Sequence, residues 1–221
     1  MAPRPEASLR LVLPVKERGR RRSQAERAAG TRARIIAAVV ESVADVGFSR
    51  TTAAEVTRRA GVTWGAVQHH FGGKDGLLVA VLEDSFDHFA EGLVEVDVEG
   101  VSLEKRASLF VDRAWSHFAS TEYHSTFEIL LHYLRREDLR AEAAEGGWQT
   151  QMSQAWERVW MRLFGDAPLP LRQQRMLQHY TISVLSGLAS TLMLEGPGAR
   201  LREPELDLLK QTLARELTHA A

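Results

Sequence analysis

Cysteine is absent from the 221 residues of this chain, so the chain forms no disulfide and no thiolate metal site. Long hydrophobic runs are absent too: residues 184–194 include serine and glycine and fall short of the ~20 residues that a membrane-spanning helix needs. Near the start, residues 9–15 are interrupted by Arg10 and Pro14, which argues against a signal peptide. We therefore expect a protein of the reducing cytoplasm with no membrane partner.

Net charge is also nearly absent, at −1, but this balance conceals an asymmetry. Residues 1–75 contain 14 Lys and Arg against 7 Asp and Glu, whereas residues 76–221 contain 14 against 22. A basic first third joined to an acidic remainder indicates that the N-terminal part binds a polyanion and that the rest of the chain has a different function. The hydrophobic fraction of 44% is enough for a substantial core.

Signatures of catalysis are missing as well. The sequence has no phosphate-cradling glycine loop, no Gly-x-Ser-x-Gly and no cysteine nucleophile. His117, His124 and His132 could share a helix face, but no carboxylate completes a metal-binding cluster. An enzyme is therefore the least supported class, and we expect no catalytic residue, no metal and no cofactor.

No segment alternates apolar and polar residues as a strand does, whereas helical spacing recurs through most of the chain. We predict an all-α protein with a flexible basic arm at 1–24, a helix-turn-helix head at 25–75 and a helical body at 76–221. A long helix that begins at Lys74 is expected to join head and body. In the arm, the arginines of residues 18–22 belong either to a solvated tail or to a segment that follows DNA phosphates.

The head is organised around residues 52–74, which read TAAEVTRRAGVTWGAVQHHFGGK. Thr52 followed by Glu55 is a capping box that predicts the start of a helix. The apolar face of this helix is expected to consist of Ala53, Val56 and Ala60. Gly61 ends the helix and Thr63 caps the next one. Two short helices joined by a glycine turn have the geometry that places the second helix in a DNA major groove.

This stretch resembles the TetR family of bacterial transcriptional regulators over roughly residues 31–78. The residues that match the family's pattern are Thr52, Ala60, Gly61, Val62, Thr63, Gly65, His70, Phe71, Lys74, Leu77 and Leu78. Gln68 departs from it, because the family usually has a tyrosine there. The resemblance implies sequence-specific DNA binding with repression as the default, a small-molecule effector and a homodimer.

The resemblance also implies a DNA-binding surface on the second helix and its flanks. The base-facing positions are Trp64, Gly65, Ala66 and Gln68, and the expected phosphate contacts are Arg50, Thr52, Thr63, His69, His70 and Lys74. A glutamine such as Gln68 can read adenine through two hydrogen bonds. Trp64 either packs on the DNA or folds back onto the first helix or the arm. Arg58 and Arg59 are expected to form a solvated face.

Aromatic side chains are concentrated in the middle of the body, where helical spacing is more often typical of a core than of a ligand pocket. Because the resembled family usually holds an effector there, we expect a pocket for a small apolar or aromatic molecule. The candidate ligand-binding residues are Trp115, Phe118, Phe127, Tyr133, Trp148, Met152, Trp156 and His179. Further polar anchors are expected among His117, His124, His132, Gln151 and Ser183. An inward stripe is predicted from Tyr123, Phe127, Leu130, Leu131 and Leu134.

The last two helices are the candidates for a dimer interface. The penultimate helix carries small residues, among them Ser183 and Gly187, that permit close approach of two helices. The last helix carries a stripe of Leu206, Leu209, Leu213 and Leu217. We expect a four-helix interface between two protomers, and the alternative is that these stripes face the protomer's own core. An alternative for the whole protein is a helical DNA-binding or adaptor protein without a small-molecule effector.

Overall fold

The computed structural model describes residues 23–94, 98–135, 148–195 and 202–218, and for residues 148 and 149 the backbone only. The helices in these ranges are α1 Gln24–Val46, α2 Ala53–Ala60, α3 Trp64–Phe71, α4 Lys74–Val94, α5 Leu103–Phe118, α6 Thr121–Leu134, α7 Trp148–Phe164, α8 Leu171–Glu195 and α9 Glu203–Thr218. A short 3₁₀ turn follows α1 at Phe48–Arg50. Every regular element in the described ranges is helical, which confirms the all-α prediction. The predicted arm lies outside the described residues except for Ser23 and Gln24.

Local signals set the ends of the first helices. Gly47 stops α1 with φ 79°, a backbone angle that residues with a side chain rarely adopt. The hydroxyl of Thr52 accepts a hydrogen bond from the Glu55 N–H at 3.2 Å and so caps α2, as predicted. The other half of the predicted capping box is replaced, because the Glu55 carboxylate accepts hydrogen bonds from the side chains of Arg58 and Arg59 instead.

The first of two hydrophobic cores lies among α1, α2, α3, the first half of α4 and the end of α6. Its fully buried side chains include Ile35, Val67, Val81 and Ile129. Ala53 was expected on the inner face of α2 but is exposed, so only Val56 and Ala60 of that predicted face are buried.

The second core joins the end of α4 to α5, α7, α8 and α9. A ring cluster at its centre includes Phe89, Phe110, Trp156 and Trp160. At its edge the buried guanidinium of Arg106 donates two hydrogen bonds to the Asp166 carboxylate, at 2.8 and 2.7 Å. These bonds hold the pKa of Asp166 below its usual range.

Residues of α4 contribute to both cores, so this helix belongs to the head and to the body. The predicted domain boundary between residues 75 and 76 stays a prediction. The predicted stripe of α6 is right in part: Tyr123, Phe127 and Leu130 are half-buried. Leu131 and Leu134 are exposed instead of inward, and Ile129 and Tyr133 are buried in their place. Among the described residues, no helix is both long enough and apolar enough to cross a membrane.

The leucine stripe of α9 faces the core of its own protomer rather than a partner. Its four leucines are Leu206, Leu209, Leu213 and Leu217, and all are buried in the second core. Their principal neighbour is α5. The alternative interpretation of this stripe is therefore the correct one, and these four leucines are not exposed to a partner protomer.

Candidate nucleic-acid interface and internal cavity

The two helices α2 and α3 are joined by a tight left-handed turn. Gly61 adopts φ 63° and ψ 40°, the region that favours glycine. The Thr63 hydroxyl then caps α3 by accepting a hydrogen bond from the Ala66 N–H at 3.4 Å. Val67 anchors α3 on the head because its side chain is fully buried. The side of α3 opposite this anchor is left facing outward.

All ten predicted DNA-contact residues lie at exposed or half-buried positions. The exposed ones are Arg50, Thr52, Thr63, Gly65, Gln68, His69 and Lys74, and the half-buried ones are Trp64, Ala66 and His70. Gly65 and Ala66 add little bulk at the start of α3, so a ligand can approach its backbone closely. The ten positions lie on α3 and its cap, at the N-terminal ends of α2 and α4 and, for Arg50, in the 3₁₀ turn.

Trp64 and His70 have neighbours within the protein. Trp64 is half-buried and packs against the first core, so part of its ring surface stays exposed. The ring of His70 lies 5.3 Å from that of His69 and 6.2 Å from that of Phe71.

The arginines near this surface are mostly paired. Arg59 forms ion pairs with Asp45 and Glu55, both at 2.6 Å, and Arg58 pairs with Glu55 at 2.7 Å. Arg58 and Arg59 together lower the pKa of Glu55 to about 2. Arg50 donates from Nε to the carbonyl of Val46 at 2.6 Å, so its terminal nitrogens remain the groups that can approach a phosphate.

An internal cavity of about 90 Å³ lies between α4, α5, α6 and α7. Its apolar lining is Leu82, Phe86, Phe127, Leu130 and Met152, and its polar lining is Ser85, His117, Tyr123 and Thr126. The hydroxyls of Ser85 and Thr126 lie 3.4 Å apart in its wall. An apolar cavity with a few hydrogen-bonding groups is the usual form of a small-molecule site.

The cavity continues into an open groove between α4 and α7. The nearer part has a volume of about 250 Å³ and shares Leu82, Phe86 and Met152 with the cavity. The farther part has a volume of about 560 Å³ and runs past Asp87 and Arg158. A ligand larger than this small cavity therefore has room to extend along the groove.

His117 is the histidine that lines the cavity. Burial, with a smaller contribution from His88, lowers the pKa of His117 to about 4. Its ring packs 4.8 Å from that of Phe89 and 5.5 Å from that of Tyr123, measured between centroids. His117 is therefore neutral near pH 7 and presents one donor and one acceptor nitrogen.

The predicted ligand-binding residues divide into several groups. Phe127 and Met152 line the cavity. Trp115, Phe118 and Trp156 pack in or against the second core, with Phe118 and Trp156 among the side chains around Phe89. The side chain of Trp148 lies outside the described residues.

Two of the predicted ligand-binding residues lie outside both the cavity and the second core. Tyr133 is buried in the head, because the end of α6 packs there, and His179 is exposed on the outer face of α8. Sequence reasoning missed Ser85 and Thr126, although each interrupts an apolar helix face with a hydroxyl, which is a readable signal.

The predicted histidine anchors are also dispersed. His117 lines the cavity, whereas the ring of His132 packs at a tilt against that of Phe48 in the head, with 4.6 Å between centroids. His124 is half-buried on α6, and burial lowers its pKa. Within the described ranges no group of three or more histidine and acidic side chains has the arrangement to hold a metal ion.

Comparison with known proteins bears on the head and on the whole fold. The family model described as "Bacterial regulatory proteins, tetR family" matches residues 35–81. The HTH-type transcriptional regulator BetI 1 of Chromohalobacter salexigens is 36% identical over 70 residues, 32% of this chain and 35% of that protein. BetI of Cronobacter sakazakii is 28% identical over 203 residues, 86% and 92% of the two chains. FadR of Bacillus subtilis, solved with stearoyl-CoA, superposes with a TM-score of 0.62 at 16% identity over 84% of this chain and 97% of that one.

The outward face of α3 and the matched head define a helix-turn-helix DNA-binding regulator of transcription. Over residues 35–81 the chain is similar to the TetR family of bacterial regulatory proteins, and the BetI regulators extend this similarity over most of its length.

Proposed function

We propose that this protein is a sequence-specific operator-binding repressor, acting in the cytoplasm as a homodimer, that leaves its operator when a small apolar or aromatic effector binds. One observation carries the proposal: α6 lines the internal cavity with one half and packs inside the DNA-binding head with the other. Tyr123, Thr126 and Phe127 face the cavity, while Ile129 and Tyr133 are buried in the first core. Catalysis has no part in the proposal.

On the DNA side, the proposal assigns base reading to Trp64, Gly65, Ala66 and Gln68 of α3. Phosphate contacts are assigned to Arg50, Thr52, Thr63, His69, His70 and Lys74. The hydroxyls of Thr52 and Thr63 already accept hydrogen bonds as helix caps, but each hydroxyl can still donate to a phosphate oxygen. Capping and DNA binding are therefore compatible at both positions.

Two helices, α4 and α6, connect the cavity to the head and can transmit a change caused by effector binding. Leu82 and Phe86 of α4 line the cavity, and the N-terminal end of α4 carries Lys74 on the proposed DNA surface. The second route is α6, which packs on α1 and on the 3₁₀ turn. A ligand that separates these helices shifts the protein away from the DNA-binding form only if it binds that form less tightly.

The proposed dimer uses the outward faces of the last two helices, since two half-sites on one DNA face require two heads. On α8 these faces include Tyr180, Ser183 and Gly187, and on α9 they include Leu208 with 64% of its surface exposed. Small residues on α8 permit close contact between helices, and Leu208 supplies apolar area.

The competing candidate is a helical DNA-binding or adaptor protein without an effector. The modest volume of the cavity, about 90 Å³, is the observation that favours it. The open groove along α4 and α7 provides the additional volume that the repressor proposal needs.

Footprinting on the DNA beside the protein's own gene tests the proposal. We expect a protected, two-fold related site and no protection of a scrambled site at the same salt concentration. A panel of apolar and aromatic compounds is then screened for thermal stabilisation, and each stabilising compound is tested for loss of operator binding. Equal affinity for operator and scrambled DNA would refute the operator; stabilising compounds that all leave operator affinity unchanged would refute effector control.

A further inference from the structure

A second groove, separate from the cavity, runs between α1, α4 and α6. Its volume is about 470 Å³. The α1 side of its floor is apolar and consists of Ala33, Ile36, Ala37 and Val40. Ala33 and Ala37 are exposed, so small apolar side chains line an open trough on the head. No part of the proposed DNA or effector chemistry uses this trough.

The rim of this groove is acidic. Glu41, Asp84 and Glu122 converge on it from three helices, together with His88. His88 Nδ1 lies 3.4 Å from the Asp84 carboxylate and 4.0 Å from that of Glu122. Along the part of the chain that the structure describes, no lysine or arginine forms an ion pair with these three carboxylates. The trough therefore suits an apolar segment that carries positive charge at its edges.

The chain contains such a segment just before α1. Residues 9–16 read LRLVLPVK, an apolar run bordered by Arg10 and Lys16. Residues 1–22 as a whole carry seven Lys and Arg against two Asp and Glu. DNA phosphates would account for the arginines of residues 18–22, but they do not account for five leucine and valine residues in an arm. These leucine and valine side chains can be buried only where the protein offers them an apolar surface.

The length of the chain allows this segment to reach the groove. From Ser23 to Ala37 the axial distance along α1 is about 21 Å, at ~1.5 Å per residue. The seven residues 16–22 span about 23 Å when extended, at ~3.3 Å per residue. If residues 16–22 run back along α1, residues 9–15 therefore arrive over the middle of the trough.

We propose that residues 9–16 of the chain dock in the groove between α1, α4 and α6. Their leucine and valine side chains cover Ala33, Ala37 and Val40, and Arg10 and Lys16 pair with the acidic rim. The arginines of residues 18–22 are then held beside α1 as a fixed basic strip. This docking is independent of the effector cavity and of the operator sequence.

The absence of cysteine makes the docking measurable in the full-length chain by paired cysteine substitutions. The test variant is Leu11→Cys with Ala37→Cys. The matched control is Leu11→Cys with Ala28→Cys, which is also exposed but lies half a turn away on α1, nine residues at ~3.6 residues per turn. Position 28 is nearer to the arm than position 37, so an undocked arm forms the disulfide of the control variant at least as fast as that of the test variant.

Disulfide formation is followed by non-reducing electrophoresis and peptide mapping. We expect the intrachain disulfide of the test variant to form about tenfold faster than that of the control variant, because docking raises the local concentration of the two thiols. Equal or faster reaction of the Ala28→Cys control overturns the docking. A predominantly interchain product with Ala37→Cys also overturns it, since a second copy's segment then fills the groove.

The role of the rim is tested separately by adding Glu41→Gln and Glu122→Gln to both the test and the control variant. These neutral replacements keep the side-chain shape. We expect the rate of disulfide formation in the test variant to fall toward that of the control. An unchanged difference between the two rates overturns the pairing of Arg10 and Lys16 with the rim.

Discussion

The carboxylate of Glu128 accepts a hydrogen bond from the backbone N–H of Phe48 at 2.8 Å, although 80 positions separate the two residues in the chain. Four residues further along α6, the ring of His132 packs at a tilt against the Phe48 ring with 4.6 Å between centroids. The turn that follows α1 is thus held by the helix that also lines the internal cavity. These contacts tie the 3₁₀ turn of the head to α6.

Glu128→Ala is expected to destabilise the protein by about 1 kcal/mol, because the Phe48 N–H loses its acceptor at a partly solvated site. Glu128→Gln is the matched control, since its amide oxygen can still accept the hydrogen bond. Urea unfolding of both variants measures the difference in the free energy of unfolding. If Glu128→Ala and Glu128→Gln unfold at the same urea concentration as the wild type, this hydrogen bond contributes nothing to the free energy of unfolding.

The helix ends in the head could be predicted because their causes are local. Thr52, Gly61 and Thr63 act on neighbouring backbone groups, and the structure shows each of them capping or ending the predicted helix. A stripe on α6 could not be predicted in the same way. Its end packs on the head rather than on the body, which buries Ile129 and leaves Leu131 exposed.

For the same reason, the sequence could not predict whether the leucine stripe of α9 takes part in oligomerisation. Sequence spacing identifies an apolar face, but it does not say whether that face meets α5 of the same protomer or a helix of a partner. In this protomer the stripe packs against α5. The two helices are far apart in the sequence, since α5 begins at Leu103 and α9 at Glu203. Only the tertiary arrangement decides between the two.

Lys74→Ala is expected to weaken binding to operator and scrambled DNA by a similar factor. Lys74 is exposed at the first residue of α4, so its ammonium group can approach a phosphate. Loss of one phosphate contact reduces the slope of log affinity against log salt by about 1. Fluorescence anisotropy titrations at several salt concentrations measure this slope. An unchanged slope places Lys74 outside the phosphate contacts.

Gln68→Ala is expected to act differently, by changing the preference at one base pair. Gln68 is exposed on α3, whereas its neighbour Val67 is buried. Loss of a two-point contact to a base costs about 1–3 kcal/mol for the preferred base and little for the others. Affinities for a set of single-base operator variants measure the effect. If Gln68→Ala weakens all of them equally, the side chain does not read a base.

Gly187→Arg is expected to convert the proposed dimer to a monomer without unfolding the protomer. No described atom lies within 4 Å of the place where a Cβ at Gly187 would stand, so the protomer has room for the side chain. Gly92→Arg on α4 has the same open surroundings and serves as the control. Sedimentation velocity measures the mass of each variant. A dimer that persists in Gly187→Arg shows that this face of α8 is outside the interface.

His117→Phe is expected to reduce the loss of stability that acid causes. The folded-state pKa of His117 is about 4 because of burial, whereas an unperturbed histidine titrates near ~6.5. Between these two values the unfolded chain binds a proton that the folded chain does not, so stability falls as the pH drops through this window. The phenyl ring of the variant keeps the aromatic contact with Phe89 but cannot titrate.

Urea unfolding of wild type and His117→Phe at intervals from about pH 8 to about pH 4.5 measures this effect, in the range where the two titrations separate. At the upper end both folded and unfolded histidines are neutral, so the difference there reports packing alone. We expect the wild type to lose more stability than the variant below about pH 6.5. Parallel curves across the whole range would show that His117 binds its proton equally well in both states, and hence that the cavity does not exclude water from its ring.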